Sequence, residues 1–262
     1  TVAILTRHGD HARQVVAALK AGKHVFVEKP LALTDDQLKA VEKARATVSS
    51  PMLMVGFNRR FAPLAMAMRD FLAQAGGPVS LSYRVNAGRL PASHWLRDPA
   101  IGGGRLIGEG CHFIDLLAFL AGAPPVAVHA AGLRGTAADE DSFQLLLTFG
   151  NGSSGVLTYA SEGDRAFPKE RVEAFAGGGV AVLDDFRRLE TWRAGRRGVR
   201  RAVLRQDKGH AGEWEAFVQA VRQGVPPPIP YDYLLAVTLA TFAGVEALRS
   251  GQPVPVDLRS LG

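Results

Sequence analysis

Apolar residues follow two different rhythms along this chain. Over residues 1–57, short unbroken apolar runs alternate with stretches in which apolar residues recur every three or four positions. Val2 to Leu5 is such a run, ending on Thr6-Arg7-His8-Gly9-Asp10, and predicts a strand followed by a turn. Ala12, Val15, Val16 and Leu19 then share one helical face, closed by Ala21-Gly22. Val25 to Val27 is a second run and stops on Glu28-Lys29-Pro30. Thr34-Asp35-Asp36-Gln37 has the spacing of a capping box, and Leu38, Val41, Arg45 and Val48 mark the next helix. Met52 to Phe57 is a third strand. Runs without polar alternation, linked by helices, predict a parallel, right-handed α/β sheet.

After Phe57 strands with polar alternation take over. Arg60 to Gln74 reads as a helix and Val79 to Val85 as a strand, while Gly102 to Leu120 is a glycine turn feeding a helix. Val126 to Leu133 and Ser142 to Phe149 alternate, and Asn151-Gly152 is a hairpin turn into Ser154 to Tyr159. Arg171 to Phe175, Gly179 to Asp184, Leu189 to Arg193 and Val199 to Leu204 extend the series. Pro226 to Pro230 is a rigid connector, and Glu213 to Arg222 and Tyr233 to Arg249 are closing helices. The expected fold is α/β plus α+β. Residues 1–57 read as the second half of a doubly wound parallel (Rossmann) domain. Residues 58–262 read as an open-faced, mainly antiparallel sheet with helices on one face.

Composition narrows the classes. The chain has 262 residues, 47% hydrophobic and 21% charged, ordinary for a soluble globular protein. Leu234 to Val245, its longest apolar stretch, is interrupted by Thr238 and Thr241 and too short to span a bilayer, so it reads as a buried helix. No leader pattern is present, and Cys111 is the single cysteine, which together suggest a cytoplasmic protein. The net charge is +6. Arginines concentrate from Arg187 to Arg205, but apolar residues at strand spacing interrupt them and no nucleic-acid motif accompanies them, so neither nucleic acid nor membrane is an expected partner. The chain opens directly on a strand, and no G-x-G-x-x-G follows a predicted strand. Two strand–helix repeats, roughly 60–70 residues, are therefore expected to precede Thr1.

Two segments carry candidate chemistry. A strand that stops on Glu28-Lys29-Pro30 puts a lysine at the carboxyl edge of the sheet, where open α/β sheets bind ligands; a surface lysine at a strand end is the alternative. The second segment is Gly102-Gly103-Gly104 followed by Glu109, His112 and Asp115. On one continuous helix these three share a side, so that a carboxylate can orient the imidazole. A core histidine bonded to Asp115 is the bland alternative. Cys111 and His112 point about 100° apart on a helix, which disfavours a nucleophilic pair.

Together these motifs resemble the glucose–fructose oxidoreductase/inositol dehydrogenase (Gfo/Idh/MocA) family. The likeness rests on the Thr6–His11 turn, Glu28-Lys29-Pro30, Gly56-Phe57-Asn58-Arg59-Arg60-Phe61, the glycine–His112–Asp115 helix and the Gln252-Pro253-Val254 tail. It implies an NAD- or NADP-dependent dehydrogenase of a small polyhydroxylated substrate, a homo-oligomer formed through the sheet domain, and no metal site. By the same resemblance Lys29, His112 and Glu109 are the catalytic candidates. Thr6, His11, Glu28 and Lys29 would line the cofactor, and Asn58, Arg59, Trp95, Arg97 and Asp115 the substrate. The family usually has an aspartate four residues before the histidine, where this chain has Gly108. That variant resembles a subset fused behind a zinc-alcohol-dehydrogenase-like domain. A non-catalytic binding or assembly module that keeps the fold is the competing expectation.

Overall fold

The computed structural model describes residues 1–47, 51–133, 141–203 and 205–261. Val48 and Leu204, expected at the ends of a helix and a strand, lie outside the described residues. The first sheet holds β1 (Val2–Ile4), β2 (Val25–Val27) and β3 (Leu53–Val55), parallel and in that order, with α1 (His8–Lys20) and α2 (Asp35–Ala46) as crossovers. Every residue of β2 and β3 is buried, which is why neither shows polar alternation. The Thr34 hydroxyl caps α2 by accepting from the Gln37 backbone N–H at 3.2 Å. Helix α1 begins at His8, so His11 lies inside the helix and not in the expected turn.

Beyond Phe57, a 3-10 turn at Asn58–Phe61 leads into α3 (Pro63–Ala75). The helix expected from Arg60 is interrupted because Pro63, with no N–H to donate, takes a first-turn position. Next come β4 (Ser80–Asn86), a π-helical turn at Leu106–Gly110 running directly into α4 (Cys111–Ala121), and β5 (Pro125–Gly132). The hairpin series is β6 (Phe143–Phe149), β7 (Ser154–Ala160), β8 (Glu170–Ala176), β9 (Gly179–Asp184), β10 (Arg188–Arg193) and β11 (Arg196–Arg201). Helices α5 (His210–Gln223) and α6 (Tyr231–Ser250) follow, and β12 (Val254–Pro255) ends the sheet. The order is β11-β10-β9-β8-β4-β7-β6-β5-β12; β4 and β7 are parallel, and the other pairs are antiparallel. The two-residue β12 carried no alternation from which to expect it.

One face of this sheet packs under α3, α4 and α6. Strand β6 shows the division: Phe143, Leu145, Leu147 and Phe149 are buried, while Gln144, Leu146 and Thr148 face out. Leu146, Val156 and Phe175 stay exposed on the open face. Helix α6 is long and apolar because it packs against both β5 and β3. Helix α5 adds a second brace, with the rings of Trp214 and Phe217 5.3 and 5.6 Å from that of Phe26 in β2. The arginine cluster falls on the β10–β11 hairpin; Arg188 and Arg197 both bond Glu190, and β11 is an exposed edge strand whose charges oppose strand addition.

Candidate active site

The carboxyl rim of the small sheet meets the π-helical turn and the start of α4. Lys29 follows β2, its peptide bond to Pro30 is cis, and its ammonium donates to the Gly108 carbonyl at 2.7 Å. Position 108 admits only glycine. An added Cβ would lie 2.4 Å from Leu96 Cδ1 and 2.8 Å from the Gly102 carbonyl oxygen. A carboxylate is thus sterically barred there, and the backbone oxygen serves Lys29 instead.

His112 lies one turn beyond and is partly exposed. Its Nδ1 is buried with no hydrogen-bond partner among the described residues. Desolvation holds its pKa well below the ordinary histidine value, and Arg59, Lys29, His210 and Lys169 push in the same direction. It is a neutral imidazole at neutral pH, able to take a proton.

The expected Glu109–His112–Asp115 alignment does not form. Asp115 is fully buried and its carboxylate is gripped by Arg60, with Nε donating at 3.0 Å and Nη2 closing the second contact. A carboxylate sealed in this way does not touch substrate, which corrects that expectation for Asp115. Glu109 belongs to another network: Arg105 Nη1 donates to it at 3.1 Å and the Tyr159 hydroxyl donates to the same oxygen. Burial would raise the Glu109 pKa, but Tyr159, Arg105, Lys169 and Lys29 outweigh it and hold it below the usual carboxylate range.

Three further expectations are corrected by burial. Arg59 is a core residue, donating through Nε and Nη2 to Glu170 at 2.8 and 3.0 Å. The Asn58 amide is committed to the Lys208 carbonyl at 2.8 Å and contacts His210 Nε2 at 3.2 Å. His11 is 0% exposed, its ring nitrogens lying 2.8 and 3.1 Å from the carbonyls of Pro30 and Thr6. It fastens the ends of β1 and β2 together and does not face a ligand.

Other expected residues do border the rim. Thr6 and Leu5 are exposed beyond β1, and Glu28 and Lys29 are partly exposed after β2. Trp95 packs edge-on against His8 at 4.7 Å, with the Arg7 guanidinium 4.2 Å from its ring centre. Arg97 turns away to Asp141 at 3.4 Å. His8 bonds the Gly102 carbonyl at 2.9 Å, and burial drops its pKa to about 4.

Several participants carried no recognisable signal in the sequence. Glu170 reads as an ordinary strand start, yet it gathers Arg59, Lys208 and Tyr83. Tyr159 could have been placed inward from the alternation of β7, but not beside Glu109. Glu213 is 3% exposed on α5, and its Oε2 has no hydrogen-bond partner among the described residues. Burial, then the nearby Glu28 and Asp115, raise its pKa to about 8 against the single opposing Arg59. A folded pKa above the unfolded one means that the fold loses stability as pH rises from about 4.5 through 8. Glu213→Gln is therefore expected to be more stable than wild type at pH 9.5, by roughly 2–4 kcal/mol, with the gain vanishing at pH 5. Urea unfolding at both pH values checks this, and a pH-independent difference would contradict it.

Comparison with known proteins places this geometry. Residues 1–57 match the sequence family described as "Oxidoreductase family, NAD-binding Rossmann fold", and residues 69–180 match the "GFO/IDH/MocA C-terminal domain". The inositol 2-dehydrogenase of Rhizobium meliloti is 27% identical over 92% of this chain and 76% of its own length. The uncharacterized protein y4oX of Sinorhizobium fredii is 31% identical over 94% of this chain and 74% of its own. Among solved structures, an oxidoreductase domain protein from Kribbella flavida superposes with a TM-score of 0.84 at 25% identity, covering 98% of this chain and 80% of that one.

Proposed function

The chain belongs to the GFO/IDH/MocA family of NAD-binding oxidoreductases, and on that premise we propose that it transfers hydride between a nicotinamide cofactor, NAD or NADP, and a secondary alcohol of a sugar- or cyclitol-like substrate. The carrying observation is the convergence of Lys29 and the neutral His112 on one rim, joined through Gly108. One relative, from Rhizobium meliloti, is named as an inositol 2-dehydrogenase, which supports a polyol substrate.

The rim fits a nicotinamide ring. Thr6 and Glu28 offer polar groups at two adjacent strand ends, and Leu5, 68% exposed, offers an apolar surface between water and the sheet. These residues, with Lys29, are proposed to hold it, and residues 1–57 to form half of the dinucleotide-binding domain. The nicotinamide, when bound, supplies a hydride acceptor.

The remaining chemistry falls to side chains. As hydride departs, the alcohol must lose its proton. His112 takes it, because burial, with Arg59 and Lys29 acting in the same direction, keeps the imidazole free of a proton beforehand. Lys29 donates a hydrogen bond to the alkoxide that develops. Its own contact with the Gly108 carbonyl fixes the ammonium before substrate arrives. Glu109, clamped by Arg105 and Tyr159, sets the local charge and does not exchange the proton. Trp95 is proposed to border the substrate, and the open face around Leu146 and Phe175 to mediate self-association.

The test is a titration of the complete protein with NAD or NADP and a panel of sugars and cyclitols, read as nicotinamide absorbance. Turnover of at least one member is expected. Binding without turnover across the whole panel favours the non-catalytic module instead.

A further inference from the structure

Most of the cations around the crevice are held by named carboxylates, and two are not. Glu170 is 1% exposed and already accepts from Arg59, from Lys208 at 2.6 Å and from the Tyr83 hydroxyl. Glu109 is taken by Arg105 and Tyr159. Position 108 has no space for an acid. Two ammonium groups are left over, those of Lys29 and Lys169. Among the described residues no carboxylate lies within 4.0 Å of either.

Both act on the same place: Glu109 and His112 each feel Lys29 and Lys169. The Lys169 backbone is fixed, since its carbonyl accepts from the Asn86 N–H at 2.7 Å and the next residue is the buried Glu170. Among the described residues its side chain has no hydrogen-bond or ion-pair partner, which leaves it able to reach a ligand. Lys169 borders an open groove of about 910 Å³ whose lining sets Arg84, Arg165, Arg171, Arg187 and Arg188 against Asp184 and Asp185, so an anion approaching along it meets a net positive field.

Resting on the hydride-transfer reading above, we propose that the substrate is an anionic sugar or cyclitol whose carboxylate or phosphate docks on Lys169 while its reacting hydroxyl lies between Lys29 and His112. Lys169 is then the residue that selects charge. The preference extends to the chemical step. An anion docked on Lys169 beside Lys29 offsets two of the cations that depress His112 and makes it a stronger base once substrate is bound.

The test compares matched neutral and anionic probes (D-glucose, D-glucuronate and D-glucose 6-phosphate) on the complete protein, by nicotinamide absorbance with NAD and NADP and by calorimetric binding. At least one anion is expected to exceed glucose by about 10- to 100-fold in kcat/KM or affinity. Whether the carboxylate or the phosphate leads identifies the group. Lys169→Met should collapse that ratio towards one, and Lys169→Arg should keep most of it. A ratio near one in the wild type, a ratio untouched by Lys169→Met, or no response to either anion overturns the proposal. Turnover of neutral polyols in that case leaves the hydride-transfer reading standing. A Lys169-dependent preference in binding, with no absorbance change for any probe, sinks the hydride-transfer reading and leaves the anion site.

Discussion

Lys29→Ala in the complete protein is expected to lower kcat by about 10²- to 10³-fold, far more than it weakens cofactor affinity, while changing thermal stability little. That is the loss seen when a single preorganised donor to a developing oxyanion is removed. Lys29 is partly exposed and among the described residues its ammonium makes one hydrogen bond, to the Gly108 carbonyl, so its truncation strands one backbone acceptor and no charge. A large stability cost is therefore not expected. The pH profile separates a role at the reacting atoms from a merely structural one. Lys29 is among the cations that hold the His112 pKa down. Removing it raises that pKa. A base must be deprotonated to act, so the acidic limb of the residual activity moves to higher pH. Undiminished turnover, or a fall in activity with an unmoved acidic limb, would count against the assignment.

Much of the architecture was legible because it rests on local rules. Buried runs such as Val25–Val27 and Leu53–Val55 can only be strands covered on both faces, and Asn151-Gly152 names its own turn. The rim lysine was legible for the same reason: a strand that stops at Glu28-Lys29-Pro30 must leave Lys29 at a carboxyl edge. His112 was marked by its glycine-rich approach. What escaped were the partners. A π-helical turn at Leu106–Gly110 takes Glu109 off the regular spacing, and nothing in that run of residues announces it, while Asp115, still three residues from His112 on α4, is drawn to Arg60. Arg59, Asn58 and His11 were chosen as ligand residues because they are polar and near motifs. Each is spent instead on a protein partner remote in the chain: Pro30 for His11, Lys208 for Asn58 and Glu170 for Arg59, separations of 19, 150 and 111 residues that no periodicity reports. Gly108 shows the opposite case. Its lack of an acid was visible as a residue type, whereas the backbone crowding that forbids one needed the fold.

Glu170→Ala is expected to cost about 3–5 kcal/mol of folding stability, the largest loss from any single truncation at this site, because it strands buried cations and not merely a hydrogen bond. Arg59 loses both its hydrogen bonds to a carboxylate, Tyr83 loses its acceptor, and Lys208 keeps only Asp185 at 3.9 Å. Arg59 has no other carboxylate within ion-pair distance among the described residues, and its side chain is only 8% exposed, so water cannot substitute fully. Acid gives an independent readout. Burial alone would raise the Glu170 pKa, but Arg59 and Lys208 prevail and hold it at about 2. A folded pKa below the unfolded one contributes stability that is present above about pH 4.5 and lost as pH falls towards 2. Wild type should therefore lose roughly 3 kcal/mol across that interval from this group. Glu170→Gln, which keeps the shape and removes the titration, should be less stable at neutral pH and show a flatter acid slope. Denaturant melts of the three proteins between pH 7 and pH 2.5 decide the matter. If the glutamine variant and the wild type run parallel with pH, the hub does not hold these cations through charge, and the surplus assigned to Lys29 and Lys169 would have to be recounted.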